Sequence, residues 1–418
     1  MERGIFTKLP KDVCRERFSS LPALPAPDAC FLGCYHAGEG AEEIGFSGVP
    51  QEAFDRFFAS LAGTGVFPIR DRSIAGNRFS VCRISSRLLF LSYYPKEREG
   101  TLRLVATPDG WLPPEDESPA ETLCPVTFTQ IGRAPDFKLP FGMGYIARTM
   151  DGRFLIIDGG PGNEDDERRL LEFLLRNNPR AGEKPRLIWL ITHAHMDHMQ
   201  LANRFLDRFH GEVTVECVGY NFPDFETLEC KHEEAGKAAS LALIRRFREL
   251  IAQHYPNATE WILHAGQTFS LPGCRVTVLF TQEDHWPEPF KWINYTGAVF
   301  RLEFPGNRAA LILGDIEHQC NVRLAEVFGD ALRSDIVQVS HHGYSGGNQR
   351  LYEVADPKIC FWPIDEYRYM NDPRRLGEHP DCLCNKYLRE KPDCENYHSS
   401  NTVTVTFPEL RVTVGGLG

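Results

Sequence analysis

Apolar and polar positions recur with two different periods along this chain, and the pattern changes near residue 126. Over Gln51–Ala62 the residues Ala53, Phe54, Phe57, Phe58 and Leu61 return at helical spacing, which predicts an amphipathic helix. Apolar runs at Phe79–Ile84, Arg87–Tyr94 and Leu102–Ala106 then predict strands. Residues 1–120 are therefore expected to form a small α+β domain, whose sequence points to no particular role. The stretch Pro108–Pro125 is rich in proline and acidic residues, lacks periodicity and is read as a linker.

Beyond Val126, strands and helices alternate. Tyr145–Arg148 and Phe154–Asp158 are strand-like, the second ending in Asp158-Gly159-Gly160. Asp165–Arg176 is an amphipathic helix with acids in its first turn, where the helix dipole favours them. Arg186–Thr192 predicts a buried strand that delivers His193 at its C-terminal end, where layered α/β folds place chemistry. A strand at Val213–Val218, a helix at Glu233–His254 and strands within Gln267–Phe280 and Ala298–Leu313 follow. A helix near Val322–Phe328 and a strand at Asp335–Ser340 lead to His341-His342. This order predicts an α/β domain over 121–418, with sheets stacked inside and helices outside.

Composition narrows the function classes. A chain of 418 residues suggests two domains, and 42% hydrophobic residues supply ample core. A net charge of −11 argues against a general nucleic-acid coat, although a local basic cleft would escape that argument. No window approaches the roughly 20 apolar residues of a membrane span, and the N-terminal segment carries scattered charge. The expectation is a cytoplasmic protein with no membrane partner. Thirteen cysteines, an odd number spread along the chain, read as reduced and mostly core thiols.

The segment Thr192-His193-Ala194-His195-Met196-Asp197-His198 concentrates the chemistry. Positions two apart at a strand end project to one side, so His193 and His195 can share one metal ion. If a helix begins near Met199, Asp197 and His198 sit at its N-terminus and can serve a second ion. Imidazole and carboxylate suit zinc, iron or manganese and need no thiolate.

These residues match the HxHxDH signature of the metallo-β-lactamase superfamily, which the chain resembles over residues 126–418. Asp158-Gly159-Gly160 resembles the family's first motif, whose Asp supports the site from behind the ligands. Leu311-Ile312-Leu313-Gly314-Asp315 is similar to the strand that supplies a metal-bridging carboxylate. Ser340-His341-His342-Gly343 is similar to the region of the last histidine ligand. Within the superfamily, the order of LILGDIE and SDIVQVSHHGYSGG most resembles the hydrolase domain of ComEC-type DNA-uptake proteins, with Tyr344 where their serine stands. Asn294 is similar to an Asn in a loop of that group. Their membrane channel is absent here, so DNA transport does not carry over.

The resemblance implies an αββα sandwich preceded by the N-terminal α+β domain, and two divalent cations, with zinc favoured over manganese or iron. His193 and His195 would hold the first ion. Asp197, His198 and one of His341 and His342 would hold the second, with Asp315 bridging. Asp197, Asp315 and His342 are the expected catalytic residues. The remaining histidine of the His341-His342 pair is read as a hydrogen-bond donor to substrate, a proton donor to the leaving group or a support behind the ligands. The implied activity is hydrolysis by water activated between the cations. Phosphoesters or phosphodiesters, nucleic acid among them, are the favoured substrates. An ester, thioester or amide hydrolase and a non-catalytic metal-binding scaffold are the alternatives.

Two departures from the family pattern stand out. Met199-Gln200 replaces the usual Gly-Gly, and the isolated third-motif histidine has no counterpart between Phe209 and Asn294. His232, His254, His264 and His285 qualify by type alone. His254 reads as structural, His264 as a surface residue before the Ala265-Gly266 turn, and His285 as a ligand candidate. Other groupings carry bland readings. Cys30, Cys34 and His36, and Cys382, Cys384 and Cys394, lack paired zinc-ribbon spacing. Arg245-Arg246-Phe247-Arg248 reads as a solvated helix face. Trp286 and Trp292 read as packing or the mouth of a pocket, and Gly343–Gly347 as a turn or an anion-facing loop.

Overall fold

Apolar runs without polar alternation need partners on both faces, and three sheets provide them. The computed structural model describes residues 30–36, 42–106, 115, 121–133, 141–223, 234–284 and 292–415. The first sheet comprises β1 (Cys30–His36), β2 (Glu42–Ser47), β3 (Phe67–Ile74), β4 (Asn77–Ile84), β5 (Arg87–Tyr94) and β6 (Glu99–Ala106). It is antiparallel in the order β1-β2-β6-β5-β4-β3. Helix α1 (Gln51–Leu61) covers one face, where Phe54 stacks on Tyr93 at 4.0 Å between ring centroids. Leu89, Leu91 and Tyr93 of β5 belong to that face, while Leu88, Phe90 and Tyr94 point the other way into the main core. The unbroken apolar run of β5 is thus buried twice over.

The second unit holds β7 (Thr127–Gln130), β8 (Gly144–Arg148), β9 (Phe154–Asp158), β10 (Arg186–Leu190), β11 (Thr214–Tyr220) and β12 (Thr259–Ile262). After these come β13 (Thr268–Leu271), β14 (Cys274–Phe280), β15 (Val299–Phe304), β16 (Arg308–Ile312), β17 (Ile336–Gln338), β18 (Ile359–Trp362) and β19 (Glu395–His398). A final hairpin, β20 (Thr402–Thr406) and β21 (Arg411–Gly415), returns to the edge of β7. The two sheets run β12-β11-β10-β9-β8-β7-β20-β21 and β13-β14-β15-β16-β17-β18-β19.

Side-chain alternation shows how they stack. Leu155, Ile157, Ile188 and Leu190 face the second sheet's Phe300, Ile312 and Phe361 in an inner core. Phe154, Ile156, Leu187 and Trp189 face outward. Helices α2 (Glu164–Asn177), α3 (Met196–Arg208) and α4 (Glu234–His254) pack on that outer side. Helices α5 (His318–Phe328), α6 (Gln349–Ala355), α7 (Glu366–Asn371), α8 (Pro373–Leu376) and α9 (Leu383–Glu390) accompany the other sheet. The result is an αββα sandwich. Among the described residues no helix is long and apolar enough to cross a membrane.

The N-terminal sheet is not a free appendage. Its second face lies on α5 and the β12–β13 connection, and its apolar side chains merge with the sandwich core. Asn77 donates to the Val327 carbonyl at 2.7 Å, and Tyr94 to Asp284 at 2.6 Å. A Cβ on Gly266 would lie 2.1 Å from Phe79, so the backbone approach there requires glycine. His264, expected at the surface, is instead buried beneath this sheet, with Phe90 stacked on it at 3.6 Å. The turn after it had suggested exposure, but a distant strand covers it.

Strands β9, β10, β11 and β12 run parallel, as do β16, β17, β18 and β19. The C-terminal ends of β9, β10, β16, β17 and β18 carry or lead into Asp158-Gly159, Thr192–His198, Gly314-Asp315, Ser340–His342 and Pro363. These five strand ends assemble the site.

Candidate metal centre

Four side chains converge at this edge: Asp197, His198, Asp315 and His342, with one ligand-type atom of each within 4.8 Å of the others. Asp315 is the hub. Its Oδ2 lies 3.1 Å from His198 Nε2 and 3.1 Å from His342 Nε2, while Asp197 Oδ2 is 3.0 Å from His342 Nε2. His195 caps α3, which starts at Met196, earlier than expected, and runs unbroken through Met199-Gln200. That start aims Asp197 and His198 from the first helical turn.

The outer atoms of both imidazoles are fixed. His198 Nδ1 lies 2.8 Å from Asp158 Oδ2, and His342 Nδ1 lies 2.8 Å from the Pro363 carbonyl. With Nδ1–H donating outward, each Nε2 presents a lone pair to the cluster. His198 Nε2 and His342 Nε2 make no well-aligned hydrogen bond although carboxylate oxygens lie 3.0–3.1 Å away, and Asp315 Oδ1 is buried without one. Such atoms are costly to leave unsatisfied, and their donor chemistry fits a divalent cation.

Electrostatics agree with this. Burial pushes the Asp315 carboxyl up, but His342 and His198 overcome it and hold the group well below the usual carboxylate range. Burial pushes the His342 imidazole down, but Asp315 and Asp197 raise it to about 9. The carboxylates hold protons at positions where a metal would supply the positive charge.

His193 and His195 adjoin the cluster. His193 is fully buried, with Nε2 3.1 Å from His195 Nδ1 and its ring centroid 4.1 Å from that of His198. The adjacent His341 and His342 separate: His342 enters the cluster, while His341 Nε2 stays 4.0 Å from Asp315 and 3.3 Å from Asn294 Nδ2. His341 Nδ1 lies 3.5 Å from Glu317 and 3.3 Å from Ser345 Oγ. Both histidines adopt positive φ, 47° and 52°, a strained backbone that turns consecutive side chains in different directions.

Residues that sequence reasoning passed over hold this frame. Arg375 donates to the His342 carbonyl at 3.1 Å while paired with Asp372 at 2.6 Å. Asn385 donates to the Gly343 carbonyl at 2.7 Å. Gln338 braces the Gly-Asp turn, accepting from Leu313 N and Gly314 N at 2.7 Å each. Glu317 had a visible signal, since it stands two residues after Asp315 in the same motif.

A cleft of about 480 Å³ opens over the centre, lined by Phe141, Trp292, Asn294, Glu317, Tyr344 and Arg375 among others. The Arg245–Arg248 tetrad is not part of it: Arg246 pairs with Asp207 at 2.7 Å and Phe247 is buried. His254 stacks on His210 at 4.1 Å. His232, His285 and Trp286 lie outside the described residues, and so do the side chains of Cys30, Cys34 and His36. Cys382, Cys384 and Cys394 do not gather, and Cys394 contacts Cys360 instead.

Asp158 deserves a direct test, because its carboxylate accepts from Thr192 N, from Thr192 Oγ1 and from His198 Nδ1. In Asp158→Asn only one oxygen remains to accept, and the amide can turn the His198 tautomer around. Metal affinity is expected to fall roughly 10- to 100-fold. Chelator competition measures it, and an unchanged affinity would reduce Asp158 to a structural brace.

No family model matches the chain, and no curated protein matches it. Among solved structures it is similar to CmlA, a diiron β-hydroxylase from Streptomyces venezuelae. That likeness has 16% identity and a TM-score of 0.38, over 69% of this chain and 55% of that one. A long-form RNase Z from yeast matches at 9% identity and a TM-score of 0.37, over 69% of this chain and 49% of that one. The chain spans about half the length of both structures.

Proposed function

We propose that this chain is a metal-dependent hydrolase whose centre is held by Asp197, His198, Asp315 and His342, with His193 and His195 completing a two-cation site. The observation that carries this reading is the convergence of three buried ligand atoms that make no well-aligned hydrogen bond, His198 Nε2, His342 Nε2 and Asp315 Oδ1. Divalent cations there, zinc by preference with manganese or iron as alternatives, would acidify water toward neutrality and polarise the substrate's electrophilic centre. Asp158 and the Pro363 carbonyl keep the imidazole protons on the outer nitrogens. Asn294, His341 and Ser345 face the cleft and offer hydrogen bonds to substrate oxygens. Asp315 would be the carboxylate shared by the centre, a role supported by its Oδ2 lying 3.1 Å from both His198 Nε2 and His342 Nε2.

A phosphoester, phosphodiester or nucleic-acid strand is the favoured substrate, supported by the motif order that resembles ComEC-type hydrolase domains. One observation favours carbon esters or thioesters as a second reading. Arg375 is the one Lys or Arg among the described residues lining the cleft, and Asp372 already engages it. A substrate carrying more negative charge than the cations neutralise would find little further support there.

Metal analysis of protein purified without chelators, paired with assays on bis-p-nitrophenyl phosphate, short single-stranded DNA and p-nitrophenyl acetate, tests the proposal. About two cations per chain with phosphodiester turnover is the expected result. Turnover of the acetate alone would move the substrate to the second reading. Failure to bind metal after reconstitution would overturn the hydrolase reading and leave a scaffold.

A further inference from the structure

Cys360 and Cys394 lie on neighbouring parts of the second sheet, far apart in sequence and in contact in space. Cys360 sits in β18 and is fully buried. Cys394 immediately precedes β19, the strand paired with β18, and is half-buried. Their Sγ atoms are 3.6 Å apart, a van der Waals contact that a shift of under two ångströms would turn into a bond of about 2.05 Å.

We propose that Cys360 and Cys394 form an oxidative modification site, closing to a disulfide that staples the segment holding His342. The cross-link joins residues 34 positions apart. Between them lie Pro363, whose carbonyl fixes His342 Nδ1, Arg375, which holds the His342 carbonyl, and Asn385, which holds that of Gly343. The staple therefore encloses three of the contacts that set the last motif.

Cys394 is the first sulfur to react. It is the more accessible of the two, and the Cys360 S–H and Lys391 keep its thiol below the ordinary range despite burial. The oxidant is a hydroperoxide. The Cys394 thiolate attacks the peroxide oxygen, breaking the O–O bond and forming a sulfenic acid, with the alkoxide or hydroxide leaving and taking up a proton. The Cys360 thiol then attacks the sulfenic sulfur, forming the S–S bond and releasing water. Two thiols are oxidised and one peroxide is reduced.

The full chain, folded and reduced, is treated with hydrogen peroxide, then alkylated under denaturing conditions and mapped by mass spectrometry. The expected product is a cross-linked Cys360–Cys394 peptide pair about 2 Da lighter than the two reduced peptides, reversed by dithiothreitol. The oxidised chain should melt roughly 3 °C higher, because closing a loop of this length restricts the unfolded chain. Cys394→Ser, or Cys394→Ala should the serine variant fold poorly, should lose both signals. Recovery of Cys360 as an alkylatable thiol while Cys394 becomes sulfinic acid would overturn the proposal. So would a thermal shift that persists in the Cys394 variants. None of these readouts depends on bound metal or turnover.

Discussion

Replacing Asp315 by alanine is expected to remove metal and turnover together, with a rate loss on the order of 10³-fold or more. Asp315 is 2% exposed, and one of its oxygens lies within 3.1 Å of both His198 and His342. Without it, the imidazoles of His198 and His342, from two segments of the chain, face one another with Asp197 as the one carboxylate of the cluster left beside them. Asp315→Asn keeps the volume but supplies a neutral ligand that binds cations poorly, so it should follow alanine in metal content while melting close to the parent in the metal-free state. Elemental analysis, turnover and thermal unfolding of the three proteins separate loss of the centre from loss of the fold. A variant with full metal content and undiminished turnover would remove Asp315 from the centre altogether.

The site was legible in the sequence to the extent that its groups come from short segments. Thr192–His198, Gly314-Asp315 and His341-His342 announce themselves because ligand-type residues follow apolar strands directly. The choice between His341 and His342 was not legible. It depends on two consecutive left-handed residues, a backbone state that histidine does not signal. The contacts that fix His342 come from Pro363 and Arg375, which are ordinary residues until the chain brings them back.

The elements divide similarly. Runs buried on one or both faces, such as β5 and β9, read clearly. β3 did not, because most of it is exposed and its alternation carries no apolar signal. The hairpin β20–β21 did carry a signal, Thr402–Thr406 alternating as TVTVT, and could have been found from sequence. His264 shows the opposite limit: local turn chemistry implied exposure, and only the docking of the N-terminal sheet buries it.

That docking sets up the second large effect: Arg103→Ala should destabilise the whole chain by about 3–5 kcal/mol. Arg103, on β6 of the N-terminal sheet, is 4% exposed and paired with Glu283, which also receives Asn221 Nδ2 at 2.7 Å and His264 Nδ1 at 2.9 Å. Removing the guanidinium leaves a carboxylate buried beside a neutral histidine, which costs more than the lost pair itself contributes.

The pH dependence identifies the cause. Burial pushes the Glu283 carboxyl up, but Arg103 and then His264 bring it down to about 2. A carboxyl whose folded pKa lies below its unfolded value of about 4.3 stabilises the fold fully above that unfolded value. The contribution is lost as pH falls from there toward 2. The stability gap between parent and Arg103→Ala should therefore be full at pH 7 and narrower at pH 3. Urea unfolding at both values measures it.

Because Phe79, Phe90 and Tyr94 share one apolar core with the sandwich, the parent should unfold in a single transition. Two resolved transitions in the parent would mean that the N-terminal sheet unfolds apart from the sandwich, and a gap that does not change between pH 7 and pH 3 would mean that the buried ion pair contributes little.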